Sequence, residues 1–124
     1  MSFKTAFEKA QRIAELAMDK KGDNIVVMDM RKQSSMFDWF VLVSASSSRR
    51  VNAISNHISR ELSRLKIKPL HSEGKVQDSN WTLLDYEDVV VHIFHENLRD
   101  FYGLERLWGD VPQKVYKGKC EKET

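Results

Sequence analysis

The sequence predicts an α/β fold, with a mixed β-sheet of four to five strands flanked by helices in a single domain. Apolar residues recur every three or four positions in two segments, which is typical of amphipathic helices. β-Branched and apolar runs of strand length lie between and after these segments. A chain of 124 residues, 41% of them hydrophobic, is also long enough to bury one core.

The first half of the chain is predicted to hold a helix, two strands and a second helix. The first helix covers roughly 3–20. The runs at 24–30 and 38–45 have strand composition, and the second is apolar almost throughout, as expected of a strand covered on both faces. Ser47 or Ser48 can cap the second helix. The apolar stripe of that helix is Val51, Ile54, Ile58, Leu62 and Leu65.

The second half is predicted to complete the sheet. A short strand near 69–73 precedes strands at 81–86 and 88–94, and the short joint between these two predicts an antiparallel hairpin. If the strand at 38–45 is parallel to the strand that follows the second helix, the connection is a right-handed crossover. A final helix fits residues 97–108.

Residues 1–110 are expected to form the domain, and residues 111–124 a charged, mobile C-terminal tail. No run approaches the roughly 20 apolar residues of a membrane-spanning helix. The N-terminus also lacks the continuous apolar run of a signal peptide. Because the single cysteine, Cys120, cannot form an intramolecular disulfide, we expect a reducing, cytoplasmic location.

Charge is distributed unevenly, although the formal net charge is only +2. The segment 73–110 contains nine acidic and three basic residues, a net charge of −6, and the remainder carries +8. Such a block can be an ordinary solvated surface. Alternatively, it forms an acidic face that attracts a basic partner and repels bare nucleic acid.

Two histidines, His92 and His95, lie three residues apart on a predicted strand. Their side chains therefore point to opposite faces and cannot share a metal ion while the strand continues. No further His or Cys at ligand spacing supports a metal site. We interpret His92 as a core histidine, and we predict neither a metal site nor a cofactor.

Two other motifs have a catalytic interpretation and a simpler one. The run SASSSRR at 44–50 joins a strand to a helix N-terminus, where backbone N–H groups and arginines could bind an anion. It contains no glycine and matches no P-loop, which favours a serine N-cap. Asp85 and Glu87, with Asp88, could bind Mg²⁺ from one strand face. Acidic residues are equally ordinary in a solvated hairpin turn, and composition favours that interpretation.

Tyr102 stands among charged residues on the predicted final helix, three positions before Glu105. An aromatic side chain among charges on an exposed helix face is typical of a protein-binding hot spot. A lone exposed tyrosine is also common, so both interpretations stay open on this pattern.

Five blocks follow one another in order: D-W-F-V-L-V-S at 38–44, S-S-R-R-V-N-A-I at 47–54, E-G at 73–74, W-x-L-L-D-x-x-D-V-V-V-H-I-F at 81–94 and R-x-F-Y-x-L-E-R-L-W at 99–108. Together they resemble the ribosomal silencing factor family, also called Iojap-like proteins. The likeness extends from the first helix to about Asp110. One departure is Glu87, where the family often has glycine, and it puts the geometry of this turn in question.

The resemblance implies a small α/β fold similar to nucleotidyltransferases, and a role that is not enzymatic. Such proteins bind ribosomal protein L-fourteen of the large subunit at the subunit interface, and they block joining of the small subunit and repress translation. Organellar relatives assist ribosome assembly. By motif position, the implied partner-binding residues are Trp81, Asp88, Arg99, Tyr102, Glu105 and Glu73. Peripheral rRNA contact and a homodimer of the free protein are further expectations.

The alternative function is a metal-dependent, nucleotidyltransferase-like enzyme. It would use Asp85, Glu87 or Asp88 together with the serine-rich turn. The glycine–serine signature of that enzyme class is missing from this chain, so we favour the binding protein.

Overall fold

The computed structural model describes residues 5–32, 37–73, 81–95 and 113–116. Two helices and six strands lie in these ranges. The helices are α1 (Ala6–Asp19) and α2 (Ser48–Arg64). The strands are β1 (Asp23–Asp29), β2 (Trp39–Ala45), β3 (His71–Glu73), β4 (Trp81–Asp85), β5 (Val89–His95) and β6 (Gln113–Tyr116).

The strands form one mixed sheet in the order β3-β4-β5-β2-β1-β6. Strands β2 and β5 are parallel, and the other neighbouring pairs are antiparallel. The predicted α/β class, the mixed sheet and the β4–β5 hairpin are therefore confirmed. The parallel neighbour of β2 is β5 rather than β3, the strand that follows α2, so the connection between parallel neighbours includes α2 and the β3–β4 pair.

Strand β6 extends the sheet beyond the four to five strands that the sequence predicts. It pairs with β1, with Ile25 opposite Tyr116 and Met28 opposite Gln113. Its run of four residues is too short for a period of two to be recognised in the sequence. It belongs to the segment 111–124, which the sequence assigns to a charged tail. The remainder of that segment and the predicted helix at 97–108 lie outside the described residues.

Both helices pack against the same face of the sheet. The side chain of Thr5 caps α1 by accepting a hydrogen bond from the Glu8 N–H at 3.1 Å. Each helix buries one apolar stripe and leaves its opposite side to solvent. The buried residues of α1 are Ala10, Ile13, Ala14, Leu16 and Ala17, and those of α2 are Val51, Ile54, Ser55, Ile58 and Leu62.

Gly22 joins α1 to β1 where helix and sheet approach closely. Its N–H donates to the Ala17 carbonyl at 2.8 Å. A Cβ atom at this position would lie 2.7 Å from Val43 Cγ1, which is closer than real Cβ contacts allow. The glycine therefore permits α1 to rest directly on β2.

The central strand β2 is buried on both of its faces. Val41, Val43 and Ala45 point towards the helices, and Phe40 and Leu42 point to the other side of the sheet. This confirms the expectation of a strand covered on both faces. A strand buried on only one face would alternate apolar and polar residues.

Candidate functional site

The turn between β4 and β5 holds Asp88, one of the predicted partner-binding residues. Asp85 accepts a hydrogen bond through Oδ1 from the Glu87 N–H at 2.8 Å. Glu87 has φ 79°, in the left-handed region that glycine adopts most easily. The family that the sequence resembles often has glycine at this position. The turn therefore has a glycine-like backbone conformation although its residue is glutamate.

Asp88 connects this turn to α1 and β2. Its carboxylate Oδ1 lies 2.7 Å from Lys9 Nζ, which also donates to the Tyr86 carbonyl at 3.2 Å. The Asp88 carbonyl accepts hydrogen bonds from the Asp38 and Trp39 N–H groups at 2.9 and 3.1 Å. Its side chain is 38% exposed, so the carboxylate is accessible to a partner while it already neutralises a cation.

Trp81 lies at the opposite end of the hairpin from Asp88, and Glu73 lies on the adjacent strand β3. Trp81 starts β4 and is paired with Phe94, whereas Glu73 of β3 is paired with Leu83. Four strand residues, roughly 14 Å, separate Trp81 from Asp85 at the turn.

The other three predicted partner-binding residues are Arg99, Tyr102 and Glu105. They lie outside the described residues, so their position relative to the hairpin stays a prediction. The described part of the set therefore has Trp81 and Asp88 at opposite ends of the β4–β5 hairpin and Glu73 on the adjacent strand β3.

The histidines lie on opposite faces of β5, as the sequence predicts. The ring of His92 lies 5.0 Å from that of Phe40 and 6.0 Å from that of Phe94, centroid to centroid. Burial lowers the pKa of His92 to about 4. The imidazole is therefore neutral near pH 7. Within the described ranges no group of three His, Cys, Asp or Glu side chains is placed to hold a metal ion.

The predicted carboxylate pair does not share a strand face. Strand β4 ends at Asp85, and Glu87 lies in the turn that the Asp85 carboxylate supports. The pairing of Asp88 with Lys9 accounts for the third carboxylate. These contacts favour the hairpin-turn interpretation of the acidic residues over a Mg²⁺ site.

The serine-rich junction acts as a helix cap. Ser47 Oγ accepts a hydrogen bond from the Arg50 N–H at 3.1 Å, and Arg50 donates to the Lys20 carbonyl at the end of α1 at 3.4 Å. The junction thus joins the end of α1 to the start of α2, which is the simpler of the two interpretations of this motif.

Sequence reasoning overlooked Lys9. Its Nζ is largely enclosed, with 15% of the side chain exposed. The one available signal is that Lys9 precedes buried Ala10 and stands four positions before buried Ile13, which places it at the margin of the buried stripe. Nothing in the local sequence indicates that its partner lies 79 residues away.

No helix in the described ranges is long and apolar enough to cross a membrane.

A family model described as "Ribosomal silencing factor during starvation" matches residues 4–124. A ribosomal silencing factor from Halalkalibacterium halodurans is 35% identical over 112 residues, 87% of this chain and 95% of that protein. A crystal structure of a Chromobacterium violaceum protein has a TM-score of 0.76 and 30% identity, covering 94% of this chain and 98% of that chain. A mouse protein named mitochondrial assembly of ribosomal large subunit protein 1 is 26% identical over 99 residues, 77% of this chain and 43% of that protein.

The family match extends over almost the whole chain, and the solved relative has the same fold at a sequence identity that supports common descent. This protein therefore belongs to the ribosomal silencing factor family.

Proposed function

We propose that this protein binds the large ribosomal subunit through ribosomal protein L-fourteen and blocks association with the small subunit, thereby repressing translation. The observation that carries the proposal is the family match over residues 4–124. A role in ribosome biogenesis is compatible with it, since the mouse relative is named for assembly of the large subunit. Both activities would be carried out in the cytoplasm.

Charge supports a basic protein partner. The described hairpin, residues 81–95, contains Asp85, Glu87 and Asp88 and no lysine or arginine. Ribosomal proteins are typically basic, so an acidic face can approach one with favourable long-range attraction, while rRNA phosphates repel it. Electrostatic complementarity of this kind mainly raises the association rate and the specificity.

The proposed mechanism is steric and requires no catalytic group. A protein seated at the subunit interface occupies space that the small subunit needs. A specific interface buries on the order of 1,200–2,000 Å² in total, or about 800 Å² from each partner. A patch of that size extends further than the roughly 14 Å between Trp81 and the hairpin turn. One interface can therefore include both described ends of the hairpin, together with Glu73 and Asp88.

The proposed hot spot is on the segment 99–105. Tyr102 supplies an aromatic anchor, while Arg99 and Glu105 supply charges that fix orientation. Trp81, which is half-buried, is proposed to add apolar area to the same surface. Asp88 contributes charge at the rim, where its ion pair with Lys9 reduces the gain from a further cation.

Sucrose-gradient sedimentation with purified subunits tests the function. We expect the protein to comigrate with large subunits and to reduce the fraction of joined ribosomes in proportion to its occupancy. Absence of both effects at micromolar protein would refute the proposal.

Variants test the surface. Tyr102→Ala and Glu105→Lys are each expected to weaken comigration by at least tenfold, as truncation of an interface anchor commonly does. Glu15→Lys is the control for the charge reversal at Glu105, because Glu15 is an exposed glutamate of α1 that pairs with Arg12 at 3.3 Å. Unchanged affinity of both test variants would remove Tyr102 and Glu105 from the surface. Circular dichroism of every variant checks the fold.

The free protein is proposed to form a homodimer through the same surface, which would be exchanged for the ribosome on binding. Light scattering at two concentrations tests this proposal. A dimer that Tyr102→Ala dissociates is the expected result, and a monomer at both concentrations would contradict it.

A further inference from the structure

The outer side of α2 is a cationic surface that the hairpin-centred function does not use. Residues 48–68 contain six basic side chains and one acidic side chain, Glu61. The six are Arg49, Arg50, Arg60, Arg64, Lys66 and Lys68. The described hairpin has the opposite charge, so these two surfaces differ in sign.

Helical geometry aligns three of these arginines. Arg60 is eleven residues after Arg49, and Arg64 is four residues after Arg60. At 3.6 residues per turn, the three side chains leave the helix within about 60° of one another around its axis. All three are exposed, and the buried stripe centred on Ile58 lies on the opposite side of the helix. We call Arg49, Arg60 and Arg64 the arginine stripe. Its members are spaced by roughly 16 Å and 6 Å along the axis.

Few carboxylates neutralise the stripe. Arg64 lies 3.6 Å from Glu61, and its side chain remains 70% exposed. In the part of the chain that the structure describes, no carboxylate lies within 4 Å of Arg49 or Arg60. The cationic side chains are therefore available to an anionic partner.

The position of Arg49 is a further observation. Helix N-termini carry a partial positive charge and favour acidic residues, yet the first turn of α2 has none and contains Arg49 and Arg50. In α1 the corresponding turn contains Glu8. The Arg50 side chain donates to the Lys20 carbonyl at the end of α1. Arg49 opposes the helix dipole, and a bound polyanion would relieve that repulsion.

The residues between the arginines indicate which kind of anionic partner the stripe can bind. The exposed positions within the stripe are Ala53, Asn56 and Ser63, which are small or polar. A helix that lies on a membrane needs large apolar side chains on its contacting face, and this face has none. A row of arginines without apolar anchors suits phosphates of a nucleic-acid backbone, where the gain comes from counterion release.

We infer that the arginine stripe of α2 binds the phosphate backbone of double-stranded RNA, since the exposed positions between its arginines offer no aromatic ring on which the bases of a single strand could stack. The identity of that RNA as rRNA rests on the proposed function, which brings the protein to the large subunit. The contact is independent of sequence, because arginines facing phosphates position a protein without reading bases. This contact would raise the affinity for the large subunit and orient the protein on it, while the hairpin surface would provide specificity.

The test measures binding of the full chain to a synthetic RNA duplex of about 20 base pairs by fluorescence anisotropy, between 50 and 200 mM KCl, a range over which phosphate contacts weaken strongly. A plot of the logarithm of the association constant against the logarithm of the KCl concentration is expected to have a slope of about −3 for three phosphate contacts. Arg49→Gln combined with Arg60→Gln should weaken binding about tenfold or more at the low salt and reduce the slope by about 2.

A matched double variant, Arg12→Gln with Lys32→Gln, removes the same charge from elsewhere. Both residues are exposed, and Arg12 already pairs with Glu15 at 3.3 Å. Binding within about twofold of the unaltered protein is expected, since these side chains contact no phosphate. An equal loss in this control would assign the effect to net charge and overturn the inference. The inference would also be overturned if the unaltered protein did not bind the duplex, or if it bound vesicles of phosphatidylglycerol and phosphatidylcholine more tightly than the duplex.

Comigration of the Arg49→Gln/Arg60→Gln variant with large subunits separates this inference from the proposed function. Duplex binding without comigration of the unaltered protein would reject the proposed function alone. Comigration that persists undiminished in the variant, with no duplex binding by the unaltered protein, would reject the stripe alone.

Discussion

Helices α1 and α2 cover the same face of the sheet, yet their outer sides are constructed differently. Helix α1 has an acidic residue in its first turn, a threonine cap and ion pairs of Lys9 with Asp88 and Arg12 with Glu15. Helix α2 also has a cap, but it has arginines in its first turn and an exposed cationic stripe. The inner sides of the two helices serve stability equally. The difference teaches that α1 is fastened to the β4–β5 turn through Lys9, whereas Arg49, Arg60 and Arg64 of α2 remain available for a partner.

The equality of the inner sides is tested by truncating one fully buried isoleucine in each helix. Ile13→Ala and Ile58→Ala are each expected to lower the free energy of unfolding by about 2–5 kcal/mol, because each leaves a cavity in the shared core. Urea unfolding followed by circular dichroism measures both. A cost below about 1 kcal/mol for either variant would show that one helix is not packed as described.

The outer sides are compared by removing one cation from each helix. Lys9→Met should cost about 1–2 kcal/mol, because the Asp88 carboxylate and the Tyr86 carbonyl lose their shared donor. Arg60→Met is expected to stay within about 0.5 kcal/mol of the unaltered protein, as exposed substitutions usually do. A double-mutant cycle with Asp88→Asn should give a coupling energy of about 1 kcal/mol, since Asp88 is partly exposed. Equal losses in the free energy of unfolding for Lys9→Met and Arg60→Met would contradict the difference between the outer sides of the two helices.

The turn that anchors Lys9 can be relaxed without touching the ion pair. Glu87→Gly should raise the free energy of unfolding by up to about 1 kcal/mol, because glycine adopts a positive φ without strain. Glu87→Ala is the control, since alanine keeps the Cβ atom that causes the strain. Thermal unfolding of both variants measures the difference. Equal melting temperatures for the two variants would contradict the strain at this turn.

The smallest effect concerns the first turns of the helices. Arg49→Glu should stabilise the protein by about 0.3–1 kcal/mol, whereas Glu8→Arg should destabilise it by a similar amount, because the helix dipole favours negative charge there. Unfolding at low ionic strength measures both changes, and added salt should reduce them. A destabilising Arg49→Glu would mean that Arg49 contributes to the fold rather than to a partner surface.

Much of the fold could be predicted from local patterns. The stripe around Ile58 and the apolar run at 38–45 carry their own periodicity, so their helix and strand are recognisable without knowledge of the rest of the chain. Strand β6 has no such signal, because four residues at a sheet edge depend on the neighbouring strand β1. The pairing of β2 with β5 rather than β3 is likewise a long-range choice, since α2, β3 and β4 lie between the two paired strands in the chain.

The candidate site shows the same division. The five sequence blocks indicated the family, and the comparison with known proteins confirmed it. The sequence named Asp88 as a contact residue, but its ion pair with Lys9 depends on two segments 79 residues apart. The contact roles of Trp81 and Tyr102 stay predictions.

By itself, the sequence determined helices α1 and α2, the main strands, the serine cap of α2 and the membership in the family, because each depends on residues that are close together or on ordered blocks. Only the tertiary structure decided that α1 is fastened to the β4–β5 turn. It also decided that Arg49, Arg60 and Arg64 of α2 face away from the core without a described acidic neighbour, apart from Glu61 beside Arg64. The physical reason is that ion pairing and strand order depend on distances in space, which a single chain read in order does not specify.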